Sequence, residues 1–250
     1  LNEYSETAVP MRYRILSSHQ PFKNKVVIYN KFKHFSQMTT HCSEYGKLAN
    51  WLEVALEIPT QVCPLNVDMG INQFLKNIKY KLDNQLYGMT KAKEQILLSI
   101  NNMITNPNAK GLGMALVGPQ GTGKTMLAHA IAEAVNLPFV SIPMGGARDA
   151  SFLDGHGYTY EGSCAGAIVN ALIRSKQLNT IFFMDEIDKI SKTYHGEEIS
   201  KLLLHITDST QNHDFKDKYI GNDISIDLSN VWFIYSLNYT KESKRERERE

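Results

Sequence analysis

The chain has 250 residues, 42% hydrophobic and 21% charged, with a formal net charge of +1, a composition able to bury one good core or two small ones. Acids and bases are interspersed, so no electrostatic footprint for a nucleic-acid backbone exists, and no run of about eighteen apolar residues is available to span a bilayer. Cys42, Cys63 and Cys164 stand far apart, with neither a CxxC pair nor the spacing of a zinc site.

Residues 1–85 read as helix after helix, an all-α N-terminal segment. Ile28, Phe32 and Phe35 mark a short stripe inside a basic stretch, which is a solvated face. Leu48, Trp51, Leu52, Ala55 and Leu56 make a longer stripe that Ile58-Pro59 ends, and Ile71, Phe74, Leu75, Ile78 and Leu82 make another. Between them, residues 59–64 and "NVDMG" at 66–70 have the texture of connectors.

From about residue 110 the pattern changes. Short, wholly apolar runs, "MALV" at 114–117, "FVSI" at 139–142, "TIFFM" at 180–184 and "VWFIYSL" at 231–237, alternate with helical stripes. Those stripes are Leu127, Ala130, Ile131 and Ala134, then Ala165, Ile168, Val169 and Leu172, then Ile199, Leu202, Leu203 and Ile206. Buried parallel strands are written this way. The expected fold is α/β, a parallel sheet sandwiched by helices, over residues 86–240. Residues 241–250, "KESKRERERE", form a charged low-complexity tail.

The chemistry starts at "GPQGTGKT", residues 118–125, which fits G-x-x-x-x-G-K-[ST] and lies between a predicted strand and a predicted helix. Gly118, Gly121 and Gly123 allow the backbone N–H groups to turn toward phosphate oxygens, and the helix that follows adds its positive end. The nucleotide-contacting run is expected to be Gly118, Pro119, Gln120, Gly121, Thr122, Gly123, Lys124, Thr125 and Met126. Lys124 would reach the β- and γ-phosphates of ATP, and the Thr125 hydroxyl would take one position on Mg²⁺. Downstream, "TIFFMDEIDKI" places Asp185 at a strand end, suited to the same Mg²⁺, and Glu186 beside it as the base for an attacking water. Asn238 ends the last predicted strand, where its amide would orient that water or sense the γ-phosphate.

These motifs together resemble the AAA+ ATPases, P-loop NTPases, and among them the ATPase module of Lon-type proteases. The resemblance covers about residues 24–240. It includes "SEYGKLANWLEVALEIP", similar to the helix before the ATPase, and "LDNQLYGMTKAKEQIL", whose Tyr87 and Gly88 match a pair that helps hold adenine. It continues through "GGARD" at 145–149, "GHGYTYEG", "DEIDKI" and "DSTQNHDFKDKYI" at 208–220, the last similar to an Asp-Pro-Glu-Gln-Asn stretch. The resemblance implies ATP hydrolysis coupled to unfolding and translocation of an unfolded or damaged polypeptide by a homo-oligomeric ring, a hexamer. It implies that Tyr160 grips the polypeptide from a pore loop, with Glu161 next to it.

Several positions depart from the pattern. Glu161 stands where the family has an aliphatic residue, Asp154, Gly157 and Tyr158 where it has basic ones, and Gln120 where a proline is usual. The chain opens on Leu1 and stops before the arginine finger, helical lid and Ser-Lys protease domain of the family, as a fragment or truncated copy would. Two other readings stay open: a stand-alone AAA+ remodelling ATPase or clamp-loader-like motor, and a non-hydrolysing interaction protein that keeps the fold. The charge balance disfavours nucleic acid as a partner, and nothing points to a membrane. Cysteine usage and the absence of a signal layout in "LNEYSETAV" indicate the cytoplasm, or else the mitochondrial matrix or another organelle lumen.

Overall fold

The computed structural model describes residues 9–39, 41–65, 67–68, 70–106, 111–158, 162–191 and 193–238. It separates into two compact units, one of Leu1–Gln61, Ser151–Gln177 and Asp214–Asp227, the other of Val62–Ala150, Leu178–His213 and Leu228–Glu250. This division crosses the boundary expected at residue 85. The helix over 71–85 belongs with the sheet, and the N-terminal helices share their unit with two later segments.

In the first unit, α1 (Met11–Ser17), α2 (Phe22–Phe35) and α3 (Ser43–Glu57) are joined by the short helices α7 (Ser151–Asp154) and α8 (Ala167–Ser175). Trp51, Leu52 and Ala55 of the α3 stripe are buried, and the Trp51 indole donates to the Tyr219 carbonyl at 3.1 Å. Above that ring, the Lys31 ammonium sits 4.3 Å from the Trp51 centroid and 4.9 Å from that of Tyr158, an arrangement that cation–π attraction favours. Burial lowers the Lys31 pKa. The basic face expected to be wholly solvated thus contributes one packed lysine.

Asp217 ties this unit together. Its Oδ1 accepts from the Tyr219 and Ile220 amides at 2.8 and 3.2 Å, and its Oδ2 accepts from the Gly166 amide at 2.8 Å. Burial pushes its pKa up to about 6, against those three hydrogen bonds.

The second unit is built on four parallel strands, β1 (Leu112–Val117), β2 (Phe139–Pro143), β3 (Ile181–Asp185) and β4 (Trp232–Leu237), in the order β1-β4-β3-β2. The register pairs Val117 with Leu237 and Pro143 with Asp185. The helices are α4 (Ile71–Gln85), α5 (Thr90–Thr105), α6 (Lys124–Val135) and α9 (Tyr194–Thr207). The stripes of the first three meet one sheet face: Ile78 and Leu82 of α4, Ile96 and Ile100 of α5, and Leu127 and Ile131 of α6 join Ile181, Phe183, Trp232 and Ile234 in one core. Alternation turns Phe182 and Phe233 to the opposite face, where their rings meet edge-on at 5.9 Å. No described helix is long and apolar enough to cross a membrane.

Parallel strands bring their carboxyl ends to one edge, which is where open α/β sheets bind ligands. The residues that follow these strands, Gly118, Glu186 and Asn238, are three of those singled out in the sequence.

Candidate active site

The loop after β1 turns sharply because Gly121 and Gly123 adopt φ of 80° and 85°, a left-handed conformation that costs a residue with a Cβ roughly 1 kcal/mol or more. Gly123 also faces the Met89 methyl, 3.3 Å from where a Cβ would stand. It is the N-cap of α6 and offers no side-chain cap. The first amides of α6 therefore have no partner within the helix, and its positive end faces the cleft. The amide of Gly118 is not part of that set, because it donates to the Leu237 carbonyl at 3.2 Å and pins the loop to the end of β4.

Lys124, at the start of α6, turns back over its own loop. Its ammonium donates to the Gly118 and Pro119 carbonyls, both at 3.0 Å, and to Asn238 Oδ1 at 2.8 Å. Thr122 Oγ1 donates to the Pro119 carbonyl at 2.8 Å and steadies the turn. Asp185 closes β3, and Glu186 follows it with φ of 59°, a left-handed non-glycine residue at the point of bending. The Glu186 carboxylate accepts from the Lys189 ammonium one 3₁₀ turn later, and that hydrogen bond raises the Lys189 pKa.

These parts line one cleft of about 390 Å³: Gln120, Gly121, Gly123, Lys124, Thr125, Met126, Asp185, Glu186, Ser236 and Asn238. A neighbouring cavity of about 400 Å³ shares Thr125 and Met126 with it and adds Gln85, Leu86, His129, Ala130 and Glu133. Tyr87 lines neither of the two and is fully exposed, while Leu86, one residue earlier, lines the second. Gly88, at φ 69°, makes the bend into α5. Tyr160 and Glu161 lie outside the described residues.

Sequence reasoning missed three contributors. Asp188 accepts both the backbone and the side-chain N–H groups of Asn238. Lys189 pairs with Glu186, and Gly145 leaves the space that the Glu186 carboxylate fills. Their only sequence signal is position, within "DEIDK" and "GGARD", since contacts between distant segments leave no periodicity.

The profile of the ATPase family associated with various cellular activities (AAA) matches residues 114–246, more than half of the chain and all of the cleft described above. The chain belongs to the AAA family. Along most of its length this AAA chain is also similar to Lon proteases. It is 38% identical over 208 residues to the Lon protease of Borrelia duttonii, covering 83% of this chain and 25% of the relative. With the Lon protease of Clostridium beijerinckii it shares 33% identity over 226 residues, 90% of this chain and 27% of the relative. With that of Malacoplasma penetrans it shares 34% over 239 residues, 96% of this chain and 29% of the relative. The chain thus spans roughly a quarter of the length of these relatives.

Proposed function

We propose that this chain binds and hydrolyses ATP as the motor module of a Lon-like ATP-dependent protease. The observation that carries this reading is the convergence of Lys124, Thr125, Asp185, Glu186 and Asn238 on one cleft at the carboxyl edge of the sheet. Phosphate oxygens would replace the loop carbonyls as acceptors for Lys124, and the uncapped start of α6 would face the same phosphates.

The donor set fits Mg²⁺. It is small, the Thr125 hydroxyl and the Asp185 carboxylate, and Mg²⁺ suits such a set because it keeps several waters and takes few protein ligands beside substrate phosphates. Among the described residues, no cluster of three or more His, Cys, Asp or Glu side chains could cage a metal. Bound there, Mg²⁺ would neutralise developing charge on the phosphate oxygens. Glu186 takes the proton of the attacking water once Lys189 yields its place, and Asn238 contacts that water.

The adenine would lie toward Met126 and the cavity lined by Leu86, with Tyr87 and Gly88 at its border. Hydrolysis then drives an unfolded polypeptide held by Tyr160 and Glu161 through a homo-oligomeric ring, a hexamer, in the cytoplasm or an organelle lumen.

ATP binding and phosphate release by single variants test this. Lys124→Ala should abolish ATP binding, whereas Glu186→Gln should keep it and lower phosphate release by about 10²- to 10⁴-fold, the range for a lost general base. In the same assay, Tyr160→Ala should remove only the stimulation by added unfolded polypeptide. Equal release from the Glu186→Gln chain removes the base assignment. An unsubstituted chain that binds ATP without releasing phosphate would favour the non-hydrolysing reading, to which the Glu186–Lys189 pair already lends weight.

A further inference from the structure

The orientation of one amide separates the two roles open to Asn238. Its backbone N–H donates to Asp188 Oδ1 at 2.9 Å, and its side-chain Nδ2 stands 3.3 Å from both Asp188 oxygens. A carboxylate only accepts. The nitrogen of the Asn238 side chain must therefore face Asp188, and the oxygen is left for the cleft, where it accepts from the Lys124 ammonium at 2.8 Å. An amide held this way turns its oxygen, and not its nitrogen, toward the cleft.

Asp188 owes its place to the bend at Glu186. The left-handed Glu186 ends β3 and starts the 3₁₀ turn Ile187–Lys189, so one four-residue stretch delivers both Glu186 to the cleft and Asp188 to Asn238. The inference rests on the reading of the cleft as an ATPase site.

We propose that Asp188 is a positioning residue that locks the Asn238 carbonyl into the cleft, so that Asn238 serves as an acceptor for the attacking water and not as a donor to the γ-phosphate. Lys124 occupies that oxygen until it turns to the phosphates, and its departure frees Oδ1. A water then finds two acceptors for its two O–H bonds. One proton passes to Glu186 as the water oxygen bonds to the γ-phosphorus and the bond from phosphorus to the ADP oxygen breaks. The other hydrogen stays on the oxygen, now part of inorganic phosphate, and is held by Asn238 Oδ1.

The test joins kinetics to the state of the amide. Asp188→Ala, and the isosteric Asp188→Asn should the first not fold, are expected to lower kcat by about 10²-fold, the effect of misplacing a reacting group by an ångström. The Kd for ATP should stay within about threefold, as for loss of a transition-state contact only. A fold defect would move Kd and the thermal midpoint together. Adding Asp188→Ala to Asn238→Ala should cost no more than about twofold beyond Asn238→Ala, because a residue that acts through another has nothing left to position. In the protein without added nucleotide, the Asn238 side-chain N–H resonances, assigned by their loss in Asn238→Ala, should exchange slowly with solvent and become fast in the Asp188 variant. Multiplying losses, or unchanged exchange, overturn the proposal. Absent phosphate release from the unsubstituted chain removes the hydrolysis reading instead, while the exchange measurement still decides the orientation.

Discussion

Gly145 and Gly196 both stand where a Cβ would collide, yet with different kinds of neighbour. At Gly196 the added carbon would come within 1.6 Å of the Ser191 carbonyl, which is backbone. At Gly145 it would meet Glu186 Oε2 at 2.7 Å, with Lys189 Cδ at 3.4 Å, and both are ends of flexible side chains. Gly145→Ala should therefore leave the fold standing and push the Glu186 carboxylate aside. With Glu186 as the base proposed above, the expected result is a loss of about 10²-fold in kcat, as for a reacting group displaced by an ångström, with ATP affinity and thermal midpoint unchanged. Steady-state phosphate release beside a melting curve measures both. Unchanged turnover would mean that Glu186 reaches its water from more than one rotamer, and a collapsed midpoint that Gly145 is needed for packing.

Elements were legible where a local pattern carries the information. All four strands were legible as short apolar runs, but burial on both faces holds only for the central pair, β3 from Ile181 to Met184 and β4 from Trp232 to Ile234; the edge strand β1 exposes alternate residues. The α6 stripe was legible too, since Leu127, Ala130, Ile131 and Ala134 recur at helical spacing and all are buried. The glycine-rich turn at 118–123, a contiguous motif between a strand and a helix, could also be read. What could not be read are pairings set by tertiary contact: Asp188 with Asn238, Glu186 with Gly145, and Asp217 with Gly166 depend on which strand ends and turns meet. The packing of α4 in the sheet unit has the same cause, because a stripe shows that a helix has an apolar face and not what covers it. The close packing of α7 on α8 is another such contact. A Cβ on Gly166, the N-cap of α8, would stand 2.1 Å from the Leu153 carbonyl of α7 and 2.6 Å from the Gly155 amide, both backbone. Gly166→Ala should therefore cost about 3 kcal/mol or more, the upper range for overpacking a well-filled site, read as a shifted denaturant midpoint. A shift under about 1 kcal/mol, within reach of a well-tolerated swap, would mean that α7 and α8 slide apart freely.

Each compact unit of the molecule carries one of the chain's two tryptophans, Trp51 in the first and Trp232 in the second, and both are buried. Fluorescence of single-tryptophan variants can therefore follow the units separately. Asp217 should give the first unit a distinctive pH dependence. Burial raises its carboxyl from 3.8 to about 6 in the folded chain, with nearby Asp154 pushing the same way and Lys218 paired to Asp154. A raised carboxyl means that the folded state takes up its proton first as pH falls, so this group makes stability fall as pH rises between about 4 and 6. Linkage puts the whole change at about 3 kcal/mol, of which somewhat less than half, about 1 kcal/mol, lies between pH 7 and pH 5 and favours pH 5. Asp208, in the second unit, has the opposite sign. Hydrogen bonds from Thr210 lower its pKa, so its contribution is lost only below 3.8 and does not act in this window. With Trp232→Phe as background, the urea midpoint reported by Trp51 should be higher at pH 5 than at pH 7, and Asp217→Asn should flatten the difference. Asparagine has one acceptor oxygen where Asp217 uses two, so the variant must also release either Gly166 or the turn at Tyr219 and Ile220. A midpoint that rises with pH, or a slope that survives in Asp217→Asn, would show that Asp217 stays ionised across the window and that its three amide donors outweigh its burial.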